Sequence, residues 1–174
     1  MQALTIQVNQ NAQPAVYKPK LNYAFYKQVN KDKDLKGNNQ DGFSALINGL
    51  LDGNVDMIVA TYYHSLAYYK RNQPSEDAVE AALESTVFAS DDDTSKAFDE
   101  IIEDMKQNDF LARKLSEFIK SNDKLSSTME KHIASMTDED KKDQYQIGME
   151  QVQETTNKLQ SLLTTQESSS KPEE

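Results

Sequence analysis

The chain has 174 residues, with 29 acidic against 19 basic side chains and a formal net charge of −10, which disfavours nucleic acid, since binding there comes from neutralising phosphates and releasing their counterions. Its 37% hydrophobic and 28% charged residues provide for one modest core and a good deal of solvated surface. The lack of cysteine excludes disulfides, thiolate nucleophiles and cysteine-ligated zinc, and no run of about 18 apolar residues is present to span a bilayer; with no basic-then-apolar leader in "MQALTIQVNQ", a cytosolic protein that neither enters membranes nor binds nucleic acid is expected.

Leu4, Ile6 and Val8 alternate with polar residues, the period of a half-buried strand, and Ala15 and Tyr17 between Pro14 and Pro19 predict a second, giving a small N-terminal hairpin. From Leu21 the period lengthens. Leu21, Ala24, Phe25 and Val29 share one helical face, ended by a polar, lysine-rich segment. Phe43, Leu46, Ile47, Leu50 and Leu51 form the next stripe, and Asp52, Gly53 and Asn54 break it, with Asn54 placed to cap the following helix.

That helix, predicted over residues 55–69, contains "TYYHSLAYY". At about 100° per residue Val55, Ile58, Val59, Tyr62, Leu66 and Tyr69 gather in one stripe, while His64 projects from the other side beside Ala60 and Tyr68, with Met57 near that face. A helix apolar nearly all round is either central or packed on a second partner. Pro74, Ser75, Glu76 and Asp77 start another helix, whose buried side is Ala78, Val79, Ala82 and Leu83. "SDDDTSK" starts one more, carrying Phe98, Ile101, Ile102 and Met105.

Steps of four and three then define two heptad seams. One runs through Leu111, Leu115, Phe118, Asn122, Leu125, Met129, His132 and Met136, the other through Tyr145, Met149, Val152, Thr156, Leu159 and Leu163. "SND" is able to restart the first helix, and "TDED" reads as a turn between antiparallel helices with Thr137 as cap. The seams pair either within the chain or against another chain. "QESSSKPEE" lacks apolar residues and is expected to be disordered. The expected fold is mainly α: a helical core with a small N-terminal β-hairpin over 1–109, a long C-terminal helical hairpin or coiled-coil-like extension over 110–165, and a tail over 166–174.

No chemistry-bearing constellation emerges. His64 and His132 are far apart and lack convergent ligands, five scattered glycines make no phosphate loop, and no G-x-S-x-G elbow is present. No catalytic residue, metal or cofactor is therefore expected. Apolar patterning nominates Met57, His64, Tyr68, Leu111, Leu115, Phe118, Tyr145, Met149, Val152, Leu159 and Leu163 as partner-binding. Charge is uneven: residues 74–109 hold twelve acids and two lysines, residues 1–40 six lysines and two aspartates. These are either solvated surfaces or faces that meet between copies.

In serial order, "NYAF", "DGFSALINGLLDGN", "YYHSLAYY" and "PSEDAVEAALE" over residues 21–84 resemble the tail assembly chaperones of long-tailed phages (siphophages) that infect Gram-positive bacteria. The resemblance implies a non-catalytic protein that binds the tape measure protein, keeps it soluble and helps recruit the tail tube protein. It also implies action in the host cytoplasm, absence from the mature virion, and in many such families a frameshifted longer form, while the heptad seams and the charge split predict self-association into a homo-oligomer. It supplies no binding residues. A non-phage helical scaffold or regulatory adaptor is the alternative reading.

Overall fold

The computed structural model describes residues 1–8, 12–36 and 40–164, so the tail expected to be disordered lies outside the described residues. Two compact units divide the chain, Met1–Ala112 and Arg113–Glu174. In the first, β1 (Leu4–Ile6) and β2 (Ala15–Tyr17) pair antiparallel, Leu4 opposite Tyr17 and Ile6 opposite Ala15. The pleat buries Leu4, Ile6 and Tyr17 and turns Val16 outward. Val8 does not extend the strand and is exposed. The next position opposite β1 would be Pro14, which has no N–H for the ladder.

Helix α1 (Tyr23–Val29) is capped by Asn22, whose Oδ1 accepts from the N–H groups of Ala24 and Phe25 at 2.9 and 3.1 Å. It buries Phe25 and Val29; Ala24, expected on that face, is exposed, and Leu21 precedes the helix half-buried. Tyr26 flanks the buried face in place of Ala24, its ring 5.2 Å from that of Phe43. Helix α2 (Gly42–Leu51), capped by Asp41, buries all five residues of its predicted stripe. Its first residue must be glycine: a Cβ at Gly42 would lie 2.2 Å from the carbonyl oxygen of Val29, so α2 starts directly against the last turn of α1.

Helix α3 (Val55–Ser65) is capped by Asn54 as expected, but stops four residues before Tyr69. The carbonyl of Ser65, which Tyr69 would need, instead accepts the backbone N–H of Lys20 at 3.1 Å. Tyr69 turns to Leu66 at 2.9 Å, and the chain tightens into a 3₁₀ stretch (Ala67–Asn72) interrupted at Lys70, φ 57°. Val55, on the predicted core stripe, is exposed at the first turn, and Tyr69 is half-buried. α3 is the centre of the unit, packing against α1, α2, α4 (Glu76–Glu84) and α5 (Asp91–Lys106). Its all-round apolar character is thus satisfied within the chain.

Ser75 caps α4, which lies on β1 and α3 and buries Val79, Ala82 and Leu83. Ser90 caps α5 and donates in return to Asp93 Oδ2 at 2.7 Å, while Asp91, Asp92 and Asp93 place negative charge at the positive helix end. Ala97, Ile101, Ile102 and Met105 are buried and Phe98 half-buried.

Helices α6 (Asp109–Ser135) and α7 (Glu139–Thr164) follow, with Asp109–Ala112 belonging to the first unit. In the second unit the two run antiparallel. The ring of His132 lies 5.0 Å from that of Tyr145, and a Cβ at Gly148 would sit 3.4 Å from Met129 Cε. "SND" causes no break, and Asp138 rather than Thr137 caps α7, its Oδ1 accepting the N–H of Lys141 at 3.3 Å.

The first seam also shifts. Leu111, Leu115, Phe118, Ser126 and Ile133 are buried, whereas Leu125 is 47% exposed and His132 is exposed. The inward line runs through Leu115, Phe118, half-buried Asn122 and Ser126, then half-buried Met129 and Ile133, so a step of four stands where the heptad has three, and Leu115 to Ser126 spans eleven residues in three turns, a period closer to that of a straight α-helix than the heptad's. In α7, Met149, Thr156 and Leu159 are buried, and Thr156 satisfies its hydroxyl by donating to the Val152 carbonyl at 2.8 Å.

Candidate partner-binding surface

The structure separates the residues nominated from sequence. Met57 is half-buried, and a Cβ at Gly49 would lie 2.5 Å from its Cγ, so its side chain already occupies the groove between α2 and α3. His64 is buried with its Nε2 2.8 Å from Asp32 Oδ2, tying α3 to the segment after α1. Burial opposes ionisation of Asp32, but the backbone N–H of Asp34, the His64 side chain and the N–H of Leu35 outweigh it and hold the carboxyl below its ordinary value.

Tyr68 and Tyr69 form a clamp. Tyr68 donates its hydroxyl to the Lys18 carbonyl at 2.8 Å, the Lys18 N–H donates to the Tyr69 oxygen at 3.2 Å, and the Lys20 ammonium stands 4.4 Å above the Tyr68 ring. Tyr69 sets its ring edge-on to Tyr17 at 5.0 Å. Burial, with the neighbouring Tyr69 hydroxyl, pushes Tyr68 up to about 12, whereas the adjacent Tyr68 hydroxyl and the Lys18 N–H lower Tyr69. The tyrosine-rich stretch thus packs the end of α3 against the strand-to-helix connection.

Of the heptad residues, Leu111, Leu115, Phe118, Met149 and Leu159 are buried, Val152 and Leu163 half-buried, and Tyr145 is 41% exposed. Most of the nominated set therefore serves the chain's own packing. Apart from Tyr145, the large apolar side chains exposed on the described residues lie outside the nominated set. On the first unit Tyr23, 62% exposed, meets Phe110 at 5.4 Å, and Tyr26 meets the same ring at 5.2 Å. On the second, Leu125 and His132 lie seven residues apart on one flank, and Tyr145 packs on His132.

Sequence reasoning missed Asp32 and the aromatic trio. Tyr23 and Tyr26 were legible as an i, i+3 pair, but nothing local connects them to Phe110.

Among the described residues no buried side-chain nitrogen or oxygen lacks a hydrogen-bond partner, no three His, Asp or Glu side chains are disposed to hold a metal ion, and no helix is long and apolar enough to cross a membrane. What this surface offers is helix faces and exposed rings. A family model described as phage tail assembly chaperone protein, TAC, matches residues 7–120. The chain belongs to this family. The match takes in β2, α1 to α5 and the start of α6, a wider span than the resemblance over residues 21–84, and leaves most of α6 and all of α7 outside. No curated protein and no solved structure matches the chain. Within this tail assembly chaperone, Met57, His64, Tyr68, Leu111, Leu115 and Phe118 lie in the family span, and Tyr145, Met149, Val152, Leu159 and Leu163 beyond it.

Proposed function

We propose that this tail assembly chaperone binds the tape measure protein of a long-tailed phage infecting a Gram-positive host, keeps that long helical chain soluble, and helps recruit tail tube subunits. It works without catalysis or cofactor in the host cytoplasm and is left out of the finished virion. The family match over residues 7–120 carries the proposal. The exposed ring of Tyr23 against half-buried Phe110 and the flank bearing Leu125 and Tyr145 supply contacts of the kind that apolar helical stripes fill. Each contact is weak, and several copies along one elongated partner supply avidity. A frameshifted longer form of the chain is a further partner in this scheme.

Co-expression with the tape measure protein encoded by the same phage tests it. The tape measure protein should move into the soluble fraction and co-purify with the chain, and Tyr23→Ala combined with Tyr145→Ala should reduce that yield without lowering the melting temperature. Equal solubility of the tape measure protein with and without the chain would refute the reading.

A further inference from the structure

We propose that the outer face of β2 and of the extended segment that continues it, bounded by the turn after Tyr68 and Tyr69, binds an extended acidic segment of a partner protein, with carboxylates at alternate positions seated on Lys18 and Lys20 and a further one reaching Lys70 or Arg71.

Exposure alternates along this stretch. Val16 is 60% exposed and Lys18 and Lys20 are exposed, while Tyr17 is buried and Pro19 and Leu21 are half-buried. Pro19 and Leu21 line a hollow with Asp104, Gln107 and Asn108 on the inner side, so Val16, Lys18 and Lys20 share the outer one. Residues two apart on an extended chain are about 7 Å apart, which is also the repeat of alternate side chains on a second extended chain. The main chain holds the lysines in place: Lys18 bonds the Tyr69 oxygen through its N–H and the Tyr68 hydroxyl through its carbonyl, and the Lys20 N–H bonds the Ser65 carbonyl. Their ammonium groups are left to meet a ligand, that of Lys20 resting 4.4 Å above the Tyr68 ring.

The elements that meet here carry one sign. β2, α1 and the 3₁₀ stretch hold Lys27, Lys70 and Arg71 and no acid, and the single acid of α3, Asp56, stands in its first turn at the other end. Glu76 and Asp77 follow only at the start of α4. Among the described residues no ion pair engages Lys18, Lys20, Lys70 or Arg71.

Lys70 is an independent observation. Its φ of 57° and ψ of −115° belong to the first central position of a type II′ turn, which glycine ordinarily fills, and among the described residues it is the only non-glycine at positive φ. A lysine there strains the backbone, as happens where a side chain is kept for a task rather than for the fold. Binding a carboxylate is a task that its exposed ammonium can perform.

A protein segment fits this face better than nucleic acid does. Lys20 covers the Tyr68 ring and leaves no platform for a base, the face begins with apolar Val16, and the chain's net charge of −10 repels a polyanion at long range. Exposed ion pairs are individually weak, so the ligand is a segment bearing several carboxylates rather than a single one.

The inference does not rest on the tape measure reading, and its test needs only the purified full chain and a fluorescein-labelled peptide, Glu-Thr-Glu-Thr-Val-Thr-Glu-Thr-Glu, beside its glutamine counterpart. Fluorescence anisotropy should show saturable binding of the acidic peptide at ~0.02 M salt, weakened at least about fivefold by ~0.5 M as screening shortens, and at least about tenfold weaker binding of the glutamine peptide. Lys18→Gln combined with Arg71→Gln should weaken the acidic peptide about fivefold or more at an unchanged melting temperature, since neither side chain makes a hydrogen bond or ion pair among the described residues. Lys70→Gly should move two readings in opposite directions: the melting temperature should rise by roughly 2 °C or more as strain is relieved, and affinity should fall about threefold. Equal binding of the two peptides, or wild-type affinity in either variant, would overturn the proposal. So would tighter binding of a labelled single-stranded oligonucleotide of equal charge, which would make this a phosphate site, or displacement of the peptide by excess of the Lys18→Gln, Arg71→Gln chain, which would make it a site for the chain's own acids.

Discussion

Tyr62 is the test of the arrangement around α3. Its ring is 1% exposed, and its hydroxyl accepts the backbone N–H of Gln2 beside Glu100 and Asp104. Tyr62→Ala deletes a fully buried aromatic ring, which costs about 3 to 5 kcal/mol. At about 2 to 4 °C per kcal/mol for a protein of this size, the melting temperature should fall by roughly 6 to 20 °C. Tyr62→Phe keeps the ring and loses one hydrogen bond, about 1 kcal/mol.

The same pair separates packing from titration. Burial pushes Tyr62 from 10.0 up to about 12, so the unfolded chain gives up its proton first as pH rises. Stability from this group is complete below pH 10 and is lost between pH 10 and 12, by about 2 to 3 kcal/mol for a shift of that size. Urea unfolding followed by far-UV circular dichroism at pH 7 and at about pH 11.5 reads both effects. The wild type should lose more stability at the alkaline point than Tyr62→Phe, whose ring cannot ionise. An unchanged melting temperature for Tyr62→Ala would refute the placement of the ring, and an identical alkaline loss in Tyr62→Phe would refute its hydroxyl as the source.

Gly42→Ala should destabilise by about 3 kcal/mol or more in chemical denaturation, because its Cβ would meet the Val29 carbonyl oxygen at 2.2 Å and backbone cannot step aside. Leu115→Ala should cost about 2 to 5 kcal/mol and Leu125→Ala under about 1, although both were heptad core positions in the sequence; equal costs in the same melts would show that the seam does not shift. His64→Ala should lower stability by about 1 to 2 kcal/mol while leaving tape measure capture within about threefold, since its partner Asp32 is internal. Asp32 is held below its ordinary value near 3.8, so it stabilises the fold above that pH and the contribution disappears as pH falls through the lower folded value; Asp32→Asn should flatten this acid limb in a pH series of melts.

The elements that sequence made legible are those whose signals are local. Asn54, Ser75 and Ser90 sit where a short polar side chain meets an apolar period, and each caps its helix. The α2 stripe is a two-turn pattern that needs no partner to interpret. Errors arose where a distant group intervened. The end of α3 depends on Lys20, 45 positions before Ser65, taking a carbonyl that the helix would otherwise have used. The α1 face depends on which side Phe43 lies. The shift of the α6 seam depends on one step of four, from Asn122 to Ser126, where the apolar residue stands at Leu125, so the apolar pattern itself pointed to the wrong position.

Which apolar side chains stay exposed was less legible for a related reason. Apolar spacing reports that a residue is buried, not what buries it. Leu115 and Leu159 satisfy the heptad pattern and are fully buried in the isolated chain, so substitutions there read folding before they read binding. Tyr23 breaks every apolar period around it and was passed over, yet 62% of it faces solvent beside Phe110. Charge was the more informative signal. Lysines near the start and acids in the middle of the chain could have lain side by side and cancelled. Instead, among the described residues no ion pair joins Lys27, Lys31, Lys33 or Lys36 to Glu76, Asp77, Glu80 or Glu84, so the unevenness of the composition persists as exposed charge on the folded unit.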